Sequence, residues 1–162
     1  MSDIEKKQTY IREIELRYKK RRVKSDAPVN EPLASPQKVY ELFSTLQDEA
    51  KEKLITISLD AKLKILCFEV VAVGSVHSIY ARPIEVLRAA IPLNPYGIIV
   101  VHNHPSGDPT PSIEDEKFTS NLLINTTSLG LNFYDHIIIG HDRYFSFTED
   151  GIMERLKSKI VG

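Results

Sequence analysis

The chain has 162 residues, 42% of them hydrophobic, and a formal net charge of −1. That length and apolar content give one substantial core and argue against a second sizeable domain. The near-neutral balance excludes a global basic field for holding nucleic acid, and no apolar run approaches the roughly 20 residues needed to cross a bilayer. With the N-terminus charged from Asp3 onward and no secretory signal, the expected location is the cytoplasm, away from membranes. Cys67 is the one cysteine, so no disulfide forms within the chain, and its place in the run Ile65–Val71 predicts a small buried hydrophobe.

Residues 1–35 read as an N-terminal extension and linker, and 36–162 as the folded domain. In the extension, Ile4, Ile11, Ile14 and Tyr18 suggest a short strand or helix. The basic cluster Lys19-Lys20-Arg21-Arg22 follows, and Pro28 and Pro32 mark a connector. Ser35 is placed to cap a helix with Pro36 at its first position. Val39, Leu42, Phe43 and Leu46 then fall at the three- and four-residue spacings of an amphipathic helix. Leu54 to Leu59 and Leu63 to Val73 read as a strand hairpin turning at Asp60-Ala61-Lys62. Pro83 opens a helix expected to run to Ile91, where Pro92 stops it.

A third strand, Gly97 to Val101, leads into His102-Asn103-His104-Pro105-Ser106-Gly107-Asp108-Pro109-Thr110-Pro111-Ser112-Ile113-Glu114-Asp115. Side chains alternate along a strand, so two histidines two residues apart project from the same side and form a ready pair of metal ligands. The Pro- and Gly-rich loop can fold back to bring Asp115 to them as a third. Three protein ligands with a position left for water is the pattern of a catalytic zinc site. Ser112 through Asp115 reads equally as a helix N-cap serine with an acid at the third helical position, and the two readings are compatible. The helix continues to Leu129 with Gly130 as its C-cap. Strands near Leu131–Ile139 and Tyr144–Phe147 and a final helix complete the chain.

This order mixes hairpins with a crossover, which predicts an α/β domain of three layers about a mixed sheet. His136 is read as a hydrogen-bonded structural histidine near the site, with support of the metal ligands as the alternative. His77 and His141 sit in turn-like surroundings and are expected to be exposed. The aromatic residues of Arg143–Phe147 read as sheet packing rather than as base-stacking platforms.

The run His-Asn-His-Pro-Ser-Gly-Asp-Pro-x-Pro-Ser-x-x-Asp resembles the RadC-like branch of the JAB/MPN (JAMM) metalloprotease superfamily. So do other segments between about residues 36 and 155. Glu52–Asp60 is similar to the family's opening strand, and Arg82–Val86 to its Pro-Arg-Glu-Val segment, with Ile84 where Arg is usual. Tyr134–Gly140 and Tyr144–Phe147 are similar to its closing strands. The resemblance implies a three-layer mixed-sheet fold of the cytidine-deaminase-like type. It further implies Zn2+ held by His102, His104 and Asp115, with Glu52 as the general base for the activated water and Ser112 as a hydrogen-bond donor to the oxyanion. From the residues alone Glu52 is one of several acids in Gln47–Lys53, Glu49 competes with it, and Glu85 is a third acid that could enter the cleft.

Two functional classes follow. One is a zinc-dependent hydrolase of the JAMM type acting on a peptide or isopeptide bond of a protein or peptide substrate. The other is a DNA-associated RadC-like protein, either a metal-dependent nuclease or a repair accessory, suggested by the resemblance and by the Lys19–Arg22 cluster. Full-length RadC-like proteins carry a helical module of DNA-binding type, but its helix-hairpin-helix glycine signature is not visible in this chain. Neither the substrate nor the oligomeric state leaves a readable mark in the sequence.

Overall fold

Alternation along β3 (Gly97–Asn103), a strand buried throughout its length, divides the molecule into two cores. Ile98 and Val100 face one way, towards α2 (Pro83–Leu87), α3 (Ile113–Ser128) and α4 (Ile152–Val161), while Ile99 and Val101 face α1 (Pro36–Phe43). The computed structural model describes residues 15, 17, 19, 20, 30–74 and 81–161. Its five strands run in the order β2-β1-β3-β4-β5, with β1 Lys53–Leu59, β2 Ile65–Val73, β4 Asn132–Ile139 and β5 Tyr144–Ser146. The β3–β4 pair is parallel, as the α3 crossover requires, and the other pairs are antiparallel. Helices on both faces of a mixed sheet make a three-layer α/β domain.

Ser35 caps α1 by accepting a hydrogen bond from Lys38 N at 3.4 Å, with Pro36 in the first turn. The helix tightens into a 3-10 segment over Ser44–Asp48, and Val39, Phe43 and Leu46 are buried against the sheet. Leu33 lies in the stretch read as linker, yet it is buried in the same core and its N–H bonds Leu63 O.

Two elements are shorter than their patterns predict. The Asp60 carboxylate accepts the N–H groups of Lys62 and Lys64, and Leu63 takes a positive φ of 59°, so the turn consumes Leu63 and Lys64 and β2 begins at Ile65. α2 ends at Leu87 and not at Ile91, and the chain passes through a turn into a 3-10 segment, Ile91–Leu93. Pro92 lacks the N–H that an α-helix would bond to Arg88 O, and the chain there continues with three-residue bonds instead, Leu93 N to Ala90 O and Asn94 N to Ile91 O. β2 is an edge strand, with Leu66, Val70 and Val73 exposed, so Cys67 is only partly covered and not the small buried hydrophobe expected. Burial, against a hydrogen bond from Ser58, still pushes its thiol pKa upward.

A bulge in β4 determines where His136 points. Opposite Ile98 and Ile99 the strand carries Phe133 and then Asp135, so one extra residue resets the alternation. Phe133, His136 and Ile138 consequently share the α2/α3/α4 side, where His136 stacks on Phe147 with ring centroids 4.8 Å apart. Phe147 is fully buried and Tyr144 packs on Tyr40, so this aromatic run serves packing.

Burial raises the pKa of the Asp135 carboxyl to about 6, against the pull of hydrogen bonds from Ser146 and Thr148. Between the ordinary aspartate value and about 6 the folded chain keeps a proton that the unfolded chain has released. Stability from this group is therefore fully present below that window and lost as pH rises through it, by roughly 3 kcal/mol at about 1.36 kcal/mol per pKa unit. Asp135→Asn should remove this decline, which urea unfolding of both proteins at the two ends of the window will measure. Parallel pH profiles would show that Asp135 titrates normally in the folded chain.

Candidate metal centre

His102 is the last strand residue facing the helical side of the sheet, and it is 2% exposed. The backbone leaves β3 immediately afterwards, but His104 N still bonds Ile139 O at 2.9 Å, which keeps the second imidazole beside the first. Their Nε2 atoms lie 3.0 Å apart. His104 Nδ1 donates to Asp108 O at 2.8 Å; a carbonyl oxygen only accepts, so the neutral ring presents an Nε2 lone pair to the cleft.

The loop that supplies that carbonyl is held by its own geometry. Gly107 has φ +81° and its N–H closes a turn on His104 O, while His141 N bonds Gly107 O. Gly140, at the end of β4, allows the loop to lie against the sheet. A Cβ there would stand 2.5 Å from Gly107 O and 2.7 Å from Pro109 Cδ. Gly140→Ala should therefore cost about 1–3 kcal/mol by overpacking and disturb His104 with it. Thermal unfolding measures the first effect, and an unchanged melting temperature would contradict it.

Asp115 arrives from the first turn of α3. Ser112 caps the helix by accepting from Asp115 N at 3.1 Å, and Asp115 Oδ2 accepts from both Ser112 N (2.7 Å) and Ser112 Oγ (2.6 Å). This capping box fixes the carboxylate and turns Oδ1 towards His102 Nε2 at 3.3 Å, while Oδ2 stands 3.5 Å from His104 Nε2. Burial opposes its ionisation, but the neighbouring His102 and His104, with the hydrogen bonds from Ser112, outweigh burial and hold the carboxyl far below the usual range.

Glu52 stands just ahead of β1, with Oε1 3.8 Å from His102 Nε2. Burial raises its pKa, with Asp115 adding to the effect and the two histidines opposing it. For His104, burial is outweighed by Asp115, by the Asp108 carbonyl and by the Glu52 charge, and the net shift is upward. Glu49 is turned away and paired with Lys53, and Glu85 closes the capping box of α2 with Arg82. Among the described residues, Glu52, His102, His104 and Asp115 offer ligand atoms all within 4.8 Å of one another. Two imidazole nitrogens and carboxylate oxygens converging in a half-buried cleft suit a transition metal such as zinc. His141 is exposed, and His77 lies outside the described residues.

Asn103 is a site residue that sequence reasoning missed. It is fully buried, faces away from the histidines, accepts from Lys53 N at 2.8 Å and donates to Lys51 O at 3.3 Å, so it clamps the backbone on both sides of Glu52. An asparagine between two ligand-type histidines at a strand end is the only signal for this in the sequence. Thr119 is the second omission: it is buried one helical turn beyond Asp115, with its Oγ1 2.6 Å from His136 Nδ1.

Residues 33–152 match the family of the RadC-like JAB domain. The chain belongs to that family. Among curated relatives of this RadC-like domain, a UPF0758 protein of Aquifex aeolicus is 40% identical over 121 residues, covering 75% of the chain and 52% of that protein. UPF0758 proteins of Methanosarcina mazei (42% over 130 residues, 78% and 57% covered) and Thermotoga maritima (41% over 123 residues, 76% and 55%) are similar to the same degree. The chain thus spans between half and three-fifths of the length of these relatives. The JAB fold agrees with the three-layer architecture, and no helix among the described residues is long and apolar enough to cross a membrane.

Proposed function

We propose that this RadC-like JAB domain is a zinc-dependent hydrolase that cleaves a peptide or isopeptide bond. The observation that carries the reading is the convergence of Glu52 with His102, His104 and Asp115 at the end of β3, their ligand atoms all within 4.8 Å of one another. The superfamily to which JAB domains belong includes metallohydrolases, which agrees with that chemistry. His102, His104 and Asp115 would hold the ion. Zinc, when bound, lowers the pKa of water from about 15.7 to about 7 and polarises a scissile carbonyl.

The protein's own groups supply the remainder. Glu52 is 12% exposed and clamped by Asn103, and it takes the proton of the attacking water and returns it to the leaving amine. Its raised pKa brings it nearer to that of the amine it must serve than an exposed glutamate would be. Ser112 is the candidate donor to the oxyanion. Its hydroxyl is turned to Asp115 Oδ2 in the structure; if the proton swings to a substrate, Ser112 N–H still holds the same carboxylate oxygen at 2.7 Å.

Incubating zinc-loaded protein with a peptide library and with isopeptide-linked conjugates, beside Glu52→Ala, tests the proposal. Cleavage by the wild type and none by the variant is expected. Equal cleavage by both would remove Glu52 from the mechanism, and no cleavage of either bond type by zinc-loaded wild type would contradict the proposed activity.

A further inference from the structure

His102 has no backbone carbonyl to set its tautomer. Its Nδ1 faces His136 Nε2 at 2.8 Å, and two imidazoles can share a proton in either sense. The far end of the chain removes the ambiguity. Thr119 Oγ1 lies 2.6 Å from Asp115 O and 2.6 Å from His136 Nδ1. A carbonyl oxygen only accepts, so the hydroxyl proton belongs on that side; turned to His136, it would leave two acceptor oxygens facing each other at 2.6 Å. Thr119 Oγ1 can then only accept from His136, whose ring carries its single proton on Nδ1. The lone pair of His136 Nε2 in turn receives the Nδ1 proton of His102.

We propose that Thr119 and His136 are positioning residues that fix His102 in the Nδ1–H tautomer, so that its Nε2 lone pair is presented to Glu52, His104 and Asp115. The purpose of this arrangement rests on the metal-centre reading above, but its geometry does not. His136 is fully buried between Phe118 and Phe147, which prevents it from turning away or exchanging its partners for water. The relay also closes on itself. It starts at His102 Nδ1 and ends on the Asp115 carbonyl, and the Asp115 carboxylate stands 3.3 Å from His102 Nε2, so β3, β4 and α3 are locked around one imidazole. His104 reaches the same tautomer by a different route, through Asp108 O, and both rings turn Nε2 to the cluster.

The test uses zinc-free and zinc-titrated protein in parallel. Nitrogen-15 NMR of labelled histidine in mildly alkaline solution reports the tautomer of His102 with no metal present. Wild type should show Nδ1–H. Thr119→Val keeps the shape but removes the acceptor, and should produce mixed tautomers at His102 and His136 together with a zinc affinity weaker by about 10–100-fold in chelator competition. Thr119→Ser should restore both. An Nε2–H tautomer in wild type, or a Thr119→Val protein with wild-type tautomer and zinc affinity, overturns the relay. A protein with the expected tautomer that takes up no zinc would overturn the hydrolase reading and leave the relay standing, so the two failures are distinguishable.

Discussion

Replacing His104 by alanine should abolish stable zinc binding. Losing a partner that only supports a ligand weakens a site about 10–100-fold, and losing one of three protein ligands should exceed that range. His104 also tethers Asp108 O, so the substitution frees the loop that continues towards Asp115. The effect on folding should be small by comparison. The ring is partly exposed, water can fill the space it leaves, and the surrounding turn keeps its backbone hydrogen bonds from Gly107 and His141. Elemental analysis after passage through a mild chelator measures the outcome: about one zinc per chain in wild type and none in His104→Ala. His141→Ala is the matched control. That histidine is 75% exposed beside Asp142, and its loss should change nothing. Full occupancy in His104→Ala would show that the ion is held elsewhere.

Glu52→Gln should leave the zinc in place and lower turnover by about 10²–10⁴-fold, the range associated with loss of a positioned general acid or base. Glutamine has the same shape, so the clamp by Asn103 and the contact near His102 survive while the capacity to accept a proton is lost. Metal content and turnover measured on the same sample separate the two roles. Loss of zinc with loss of turnover would make Glu52 a ligand, and retention of both would remove it from the chemistry. Glu49→Gln provides the contrast, since Glu49 is paired with Lys53 outside the cluster and its replacement should leave turnover near that of the wild type.

The parts of the site legible in the sequence are those set by local periodicity. Two histidines at strand spacing share a side as long as the chain stays extended, and a serine three residues before an acid at a helix start makes a capping box; both are readable in the chain alone, although His104 lies just past β3 and is held there by its N–H bond to Ile139 O. The amphipathic spacing of Val39, Phe43 and Leu46 likewise identifies α1 and the turn after it. The missing contacts are long-range ones that only the sheet register creates. Asn103 reaches Lys51 and Lys53 across the β1–β3 pairing, and His136 reaches His102 only because a bulge near Tyr134 reverses the expected facing of the rest of β4. Periodicity without that bulge would put His136 and Phe133 on opposite faces. The turn after β1 is legible at Asp60-Ala61-Lys62, but its extension through Lys64 is not, because a side chain, Asp60, competes with the strand for two backbone donors. Cys67 was misread for a different reason: an apolar run does not disclose whether its strand lies at the centre or the edge of a sheet.

The shared ion is tested most directly by zinc K-edge X-ray absorption on protein loaded with one equivalent of zinc. Coordination by His102, His104 and Asp115 predicts two imidazole nitrogens at about 2.0–2.1 Å, with their outer-ring scattering, and oxygen completing the shell. A first shell without imidazole, or one unchanged in His104→Ala, would contradict it.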